Sequence, residues 1–557
     1  MTKATGASDQ LAAARFADAL TCHAEGRSHE AEALYRAALG LRPDHVEALG
    51  NLAALCAQNG RLDEAVSLCQ RALALRPDFA SALNTLAIVL KRLGRADEAL
   101  THYRAALKVE PDNAATLGNL GLALRALGRH EEALPLFERA AALQPALPSA
   151  QLNLGNALNE LGRFGEAEAA YRRSIERDAG YAEAHCNLGT LLRDQGRLDE
   201  AEAELDAALR LNPRLVVARY NLGNAHKDRG RLDAAIATYR EALRFDPTHA
   251  ESHWNLSHAL LLAGHLEDGF IEYEWRWRLP AMGDHGFSGP RWDSAAAPGA
   301  KVVVHAEQGF GDAIQFARYV PLIAARGHSA TLLVRPPLLR LFETLPNVEV
   351  VTQLPSGRWE GYHCPLLSLP LAFGTRLETI PAAVPYLRAE PRAAEKFRAR
   401  FEAPEFKVGL VWRGNPEKPG DARRSLAPSA LRPLFELSGV RLISLQMPPR
   451  AGDLDQLRQF GALDDPMDEI GDFADTAALI ASLDLVITVD TAVAHLAGAL
   501  AAPVWLLLPF VPDWRWMMAR PDSPWYPTAR LFRQTAPGDW HGVLDRVAEA
   551  LCARVHS

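Results

Sequence analysis

At 557 residues the chain exceeds what one hydrophobic core organises, so at least two domains are expected. A hydrophobic fraction of 48% with 23% charged residues argues against wholesale disorder. A net charge of -8 without any block of basic residues argues against nucleic acid and anionic membrane as partners, leaving proteins and small molecules. The cysteines, Cys22, Cys56, Cys69, Cys186, Cys364 and Cys552, form no CxxC pair, which speaks against a thiolate zinc site or a disulfide framework and for a reducing compartment. Met1 to Leu20 lacks the apolar core of a signal peptide, and runs such as Ala502 to Val511 are too short to span a bilayer, so a cytoplasmic protein is expected.

The N-terminal half repeats every 34 residues. Prolines stand at Pro43, Pro77, Pro111, Pro145, Pro213 and Pro247, with Ala179 filling the gap in the ladder. Glycines follow the same period from Gly26 to Gly264, alanines from Ala31 to Ala235, and an aromatic plug recurs four residues after the alanine as Tyr35, Tyr103, Phe137, Tyr171 and Tyr239. The pattern reads as a helix-turn-helix unit in which glycine closes the first helix, alanine lets helices approach and proline ends the second. It resembles tetratricopeptide (TPR) repeats, which implies an α-solenoid over residues 11–279 with about seven repeats and a capping unit. A further ladder, Asn51, Asn119, Asn153, Asn187, Asn221 and Asn255, lies in the first helix of each unit. These amides have the donors and acceptors to grip the backbone of an extended protein acceptor in a concave groove, as the TPR array of O-GlcNAc transferase does, or to tie one helix to the next; both roles fit.

Residues 280–300 are rich in Pro and Gly and read as a linker. From Lys301 short apolar runs read as buried parallel strands: Val302 to Val304, Ala330 to Val334, Val408 to Trp412, Leu442 to Leu445, Leu485 to Val489 and Val504 to Leu508. The Pro-rich stretch Pro381 to Pro391 separates two groups of them, which suggests two Rossmann-like lobes, 301–390 and 391–557, facing one another across a cleft. The first strand is followed by His305-Ala306-Glu307-Gln308-Gly309-Phe310-Gly311-Asp312, a glycine-rich turn opening a helix. Strand Leu485 to Val489 ends in Asp490-Thr491-Ala492-Val493-Ala494-His495-Leu496-Ala497, where a helix start suits a phosphate.

In this order the two segments resemble the heptosyltransferase family of glycosyltransferases (glycosyltransferase family 9-like). The resemblance covers roughly residues 301 to 550. It implies a GT-B fold and an inverting, metal-independent transfer from a nucleotide sugar, with no cofactor. Carried onto this chain, it makes Asp312 the catalytic base, with Glu307 in reserve. The donor would be bound by Gly309, Gly311, Asp490, Thr491 and His495, together with Arg413, Asn415 and Arg424 in an approximate match to the family's basic segment. The segments Asp513-Trp514-Arg515-Trp516 and Ser523-Pro524-Trp525-Tyr526-Pro527 look like a bacterial TPR-fused branch, some of whose members are linked to glycosylation of proteins, including flagellin. Two other readings stay open: a TPR scaffold whose second half only binds nucleotide, and a transferase acting on glycan or lipid acceptors.

Overall fold

The computed structural model describes residues 2–283, 286–293, 296–354, 359, 361–417, 420–447 and 450–556. Sixteen α-helices run from Thr2 to Tyr273. The chain divides into two compact units with the boundary between Asn221 and Leu222. The change of sequence texture at 280–300 and the division of packing therefore do not coincide.

In the first unit each helical pair turns on a glycine in the left-handed region, φ +79° at Gly60 and +77° at Gly94, a conformation open to glycine without steric cost. Ala31, Ala65, Ala99, Ala133, Ala167 and Ala201 are fully buried, so the small side chain is what sets the helix spacing. The aromatic plug explains the Asn-Leu-Gly triplets. A Cβ on Gly155 would lie 2.5 Å from the Tyr171 ring, and one on Gly121 2.7 Å from Phe137.

The second unit carries nine strands among its described residues: β1 Lys301–His305, β2 Ser329–Leu333, β3 Val348–Val351, β4 Tyr362–Pro365, β5 Phe406–Val411, β6 Val440–Ser444, β7 Leu485–Val489, β8 Val504–Leu508 and β9 Ala529–Arg533. They form two all-parallel sheets, ordered β3-β2-β1-β4 and β6-β5-β7-β8-β9. Every residue of β7 and β8 is buried, as expected of parallel strands covered on both faces. One hydrophobic cluster joins Leu261, Leu266, Phe270 and Tyr273 of the last repeat helices to Trp292, Val304, Ile314 and Trp514. That shared core is why the end of the repeat array belongs to the same compact unit as the sheets.

Candidate functional site

β1 and β7 each run out at their carboxyl end into a tight turn and a helix, and the two helices meet. The first turn ends at Gly309, in extended conformation, before helix Phe310–Phe316. Asp312 closes it, its Oδ2 accepting the Gly309 N–H at 2.8 Å. The second ends at Thr491, also extended, before helix Ala492–Ala499, with Thr491 Oγ1 3.2 Å from Thr488 Oγ1. A Cβ on Gly311 would lie 2.8 Å from His495 Cδ2 and 3.3 Å from Ala492 Cα, so the absence of a side chain is what lets the helices approach. His495 is buried, stacked on Trp516 at 5.3 Å between centroids, with Nδ1 3.0 Å from the Tyr526 hydroxyl and Nε2 3.9 Å from Asp490 Oδ1.

Arg515, from the 3-10 turn Trp514–Trp516, organises the charges. It donates from Nη2 to Asp312 Oδ1 at 2.5 Å, from Nη1 to Asp513 Oδ1 at 2.9 Å and from Nε to Gln315 Oε1 at 2.6 Å. Asp490 lies beside Asp513, Arg424 and Arg515. Burial first, and the Asp513 charge second, push its carboxyl up to about 6, against the pull of the two arginines. At Asp513 burial acts in the same direction, but Arg515 prevails and holds that carboxyl below its usual value. His258, on the repeat helix Ala250–Ala263, faces Asp513 and Arg515. Burial pushes its pKa down to about 4, so it is neutral and its Nδ1 donates to the Trp254 carbonyl at 2.8 Å. The result is three carboxylates around one buried guanidinium, one of them poised to change protonation near neutral pH.

The other residues expected from sequence fall elsewhere. Glu307, the reserve base, is a buried brace. Its Oε2 accepts the Leu366 N–H at 3.0 Å, while Oε1 accepts from the Leu367 N–H at 3.3 Å and from Arg276 Nη2 at 3.0 Å. Burial pushes its carboxyl up. Arg413 is engaged through Nε and Nη2 by Asp453, at 2.6 and 3.0 Å, and the Trp412 indole donates to the same carboxylate at 3.0 Å. Asn415 is exposed, its side-chain oxygen closing a local turn by accepting the Glu417 N–H at 3.0 Å. Arg424 donates to Asp421 at 3.0 Å while its charge reaches Asp490.

In the Asn ladder, Asn187 Nδ2 donates to Asn156 Oδ1 at 2.8 Å and Asn255 Nδ2 to Asn224 Oδ1 at 2.8 Å. The plugs Tyr171 and Tyr239 donate to those same oxygens at 2.9 and 2.6 Å. Asn119 reaches Asn84 at 3.4 Å, Asn221 accepts from Arg193 at 3.4 Å, and Asn153 is half-buried. The helix-tying role is thus made explicit at Asn187 and Asn255. Sequence reasoning gave no role to Arg515, Asp513 or His258. A charge between two tryptophans, as in Trp514-Arg515-Trp516, was the available signal, because an arginine in an aromatic run that packs inside must find carboxylates.

Residues 14–274 are tetratricopeptide repeats: models of that repeat match residues 14–45; residues 44–109, 78–146 and 114–180; and residues 152–216, 186–250 and 220–274. Fold and repeats together define a TPR array, a protein-interaction scaffold, continued by an α/β region. Among characterised proteins the chain is similar to Protein FlbA of Caulobacter vibrioides, 29% identical over 324 residues, which are 52% of this chain and 53% of that protein. The chain thus spans about half the length of the relative it matches. Among solved structures it is similar to YrrB, a TPR protein with an unusual peptide-binding site, at 25% identity over 33% of this chain and 95% of that one, TM-score 0.30. It is also similar to PilF of Pseudomonas aeruginosa, at 22% identity over 37% and 94%, TM-score 0.34. Among the described residues no helix is long and apolar enough to cross a membrane.

Proposed function

We propose that the chain is an inverting, metal-independent glycosyltransferase of GT-B type, moving a sugar from a nucleotide sugar to a hydroxyl of a protein recruited by the repeat array. The observation that carries this reading is the convergence of two distant motifs, Gly309 to Asp312 and Asp490 to His495, at Gly311 and His495. Thr491 and the N-terminus of its helix suit a donor phosphate, Arg424 supplies positive charge beside it, and the site carboxylates suit sugar hydroxyls and an acceptor proton. TPR repeats over residues 14–274 support a protein partner.

A thermal-shift panel of UDP-, GDP-, ADP-, CMP- and dTDP-sugars tests the reading. A ligand at 100 times its Kd adds about 2.7 kcal/mol. Thr491→Ala is expected to weaken the responding donor about fivefold, through loss of roughly 1 kcal/mol of hydrogen bonding. Nucleotide release that rises on adding a protein acceptor, flagellin among those tried, supports transfer to protein; release driven only by glycan or lipid acceptors corrects the acceptor class. No shift with any nucleotide sugar would sink the proposal. One observation favours a second reading, a nucleotide-binding scaffold without turnover: Asp312 has both oxygens hydrogen-bonded, to Gly309 and to Arg515. Binding without nucleotide release decides for it.

A further inference from the structure

We infer that the last turn of the repeat array is part of the reaction centre, with Arg276 and Tyr273 as positioning residues that hold the turn carrying Asp312. The inference rests on the transferase reading above, with Asp312 as the base. Arg276 lies on the 3-10 turn Glu274–Arg278, directly after the last repeat helix Leu266–Tyr273, and is fully buried. Its Nη2 donates to Glu307 Oε1 at 3.0 Å and to Ser368 Oγ at 2.7 Å, and its Nη1 to Glu274 Oε1 at 2.9 Å and to the Tyr273 carbonyl at 3.2 Å. Next along the glycine-rich turn, Gln308 donates from Nε2 to the Tyr273 hydroxyl at 3.0 Å. Gly309 follows and gives its N–H to Asp312. The successive residues Glu307, Gln308 and Gly309 thus lead from the array to the base with a hydrogen bond at each.

Glu307 makes more than an ion pair. Its oxygens also accept the N–H groups of Leu366 and Leu367, which follow β4, so one carboxylate joins the ends of β1 and β4 to the array. A carboxylate this buried is stable only with its cation in place, and that cation comes from the repeat side. Glu274 is shared in turn by Arg276, Ser368 and Arg291. Charge-assisted bonds of this kind are short and directional, so they fix the course of the turn as well as its stability. A group misplaced by about 1 Å loses on the order of 10²-fold in rate. Because the turn leads directly into Asp312, the array contributes to turnover even when water replaces the protein acceptor. None of these bonds involves Thr491 or Arg424, the groups assigned to the donor phosphate, so the effect falls on kcat and not on donor affinity.

Hydrolysis of the nucleotide sugar giving the largest thermal shift, with water in place of the acceptor, tests this in the full chain, with kcat expressed per donor-binding site so that unfolded molecules do not count. Arg276→Met should lower kcat about 10 to 10²-fold with the donor KM within about threefold, and Arg276→Lys, which keeps the charge, should lose less. Tyr273→Phe removes only the hydroxyl that Gln308 meets and keeps the buried ring. It should lose about threefold, and it carries the test if Arg276→Met does not fold. The deciding variants add Asp312→Asn. Once the base is gone its placement no longer matters, so in that background Arg276→Met or Tyr273→Phe should change kcat less than about twofold, whereas a general loosening of the site would multiply the losses. The inference is overturned if both variants keep the wild-type kcat, or if their losses multiply with that of Asp312→Asn. Hydrogen exchange separates this from the transferase reading. In Arg276→Met and Tyr273→Phe the amides of Ala306 to Asp312 should exchange faster than in wild type, while those of Leu485 to Leu496 do not, a result that needs no turnover. Where exchange rises but no nucleotide sugar is hydrolysed, the brace stands and the transferase reading falls. Unchanged exchange overturns the inference whatever the turnover.

Discussion

The two compact units differ in how much charge they bury. In the unit up to Asn221, pairs such as Arg95–Glu98 and Arg163–Glu166, both at 2.7 Å, are exposed, and solvent screens their attraction. Its stability comes from one small contact made many times, a buried alanine or a ring against a glycine. In the unit from Leu222 onward, Arg276, Arg318 and Arg515 are buried. Arg318 is held by the carbonyls of Gln315 at 2.8 Å and Trp525 at 2.7 Å. Repetition spreads the consequence of any one substitution, whereas buried charge concentrates it.

The sharpest break of that contrast is Arg515→Met. Removing the guanidinium leaves Asp312 and Asp513 without their shared partner, and breaking a buried pair in this way costs on the order of 3 kcal/mol. Asp513 is one-third exposed on its side chain, which keeps the figure at the lower end. Chemical denaturation followed by tryptophan fluorescence, rich in this unit, should show the loss. Adding Asp312→Asn should recover part of it; a loss below about 1 kcal/mol would mean the cluster is solvated rather than buried.

The second break is by pH. The folded-state carboxyl of Asp490 is raised to about 6 from an ordinary value near 3.8, so between those values the folded state holds the extra proton. Its stabilising contribution is present below about 3.8 and is lost as pH rises through 6, an effect of order 3 kcal/mol. Asp513, held low, has the opposite slope and feels the Asp490 charge, so the difference between wild type and Asp490→Asn reports Asp490 together with its effect on Asp513. The variant should gain on wild type as pH rises from 4 to 7, and a parallel pair of curves would contradict the shift.

The contrast also governs what the sequence disclosed. A 34-residue period is visible without any partner known, because each repeat meets copies of its own pattern; Gly60, Ala65 and Pro77 announce their roles by recurring. Buried parallel strands such as β7 and β8 were legible as unbroken apolar runs. β3, β4 and β9 were not, since β3 is half-exposed and β4 and β9 contain His363, Arg530 and Arg533. The site was legible only where residues neighbour each other in sequence, at Gly311-Asp312 and Asp490-Thr491. Arg515 joins Asp312 across 203 residues, and pairings at that distance are set by packing that no local pattern encodes. The same limit hid Asp453 as the partner of Arg413.

Within the array, Gly155→Ala should cost about 1 to 2 kcal/mol, because the added Cβ meets the buried Tyr171 ring at 2.5 Å and the ring has little room to shift. Gly118→Ala, where a Cβ meets nothing within 4 Å, is the control and should be neutral or slightly stabilising. Equal effects at both positions would show that glycine acts through helix propensity alone.

The smallest expected effect decides what the Asn ladder is for. Asn187 donates to Asn156, whose oxygen also accepts from Tyr171, so Asn156→Ala removes the acceptor of two donors and Asn187→Ala removes one donor. A neutral hydrogen bond contributes roughly 0.5 to 1.5 kcal/mol, and a buried donor left without an acceptor costs about 1 to 3 kcal/mol. Asn156→Ala should therefore destabilise more than Asn187→Ala, and the double variant should cost less than the sum of the two. A coupling of about 0.5 to 1 kcal/mol from urea midpoints would identify the amide as a brace between repeats. Asn187 retains one further N–H, so a bracing amide is still able to meet a peptide. If coupling is absent and the single variants are as stable as wild type, the ladder is free to grip an acceptor. Replacing Asn153, Asn187 and Asn221 together should then weaken protein-acceptor binding about 10 to 10³-fold while donor hydrolysis stays unchanged.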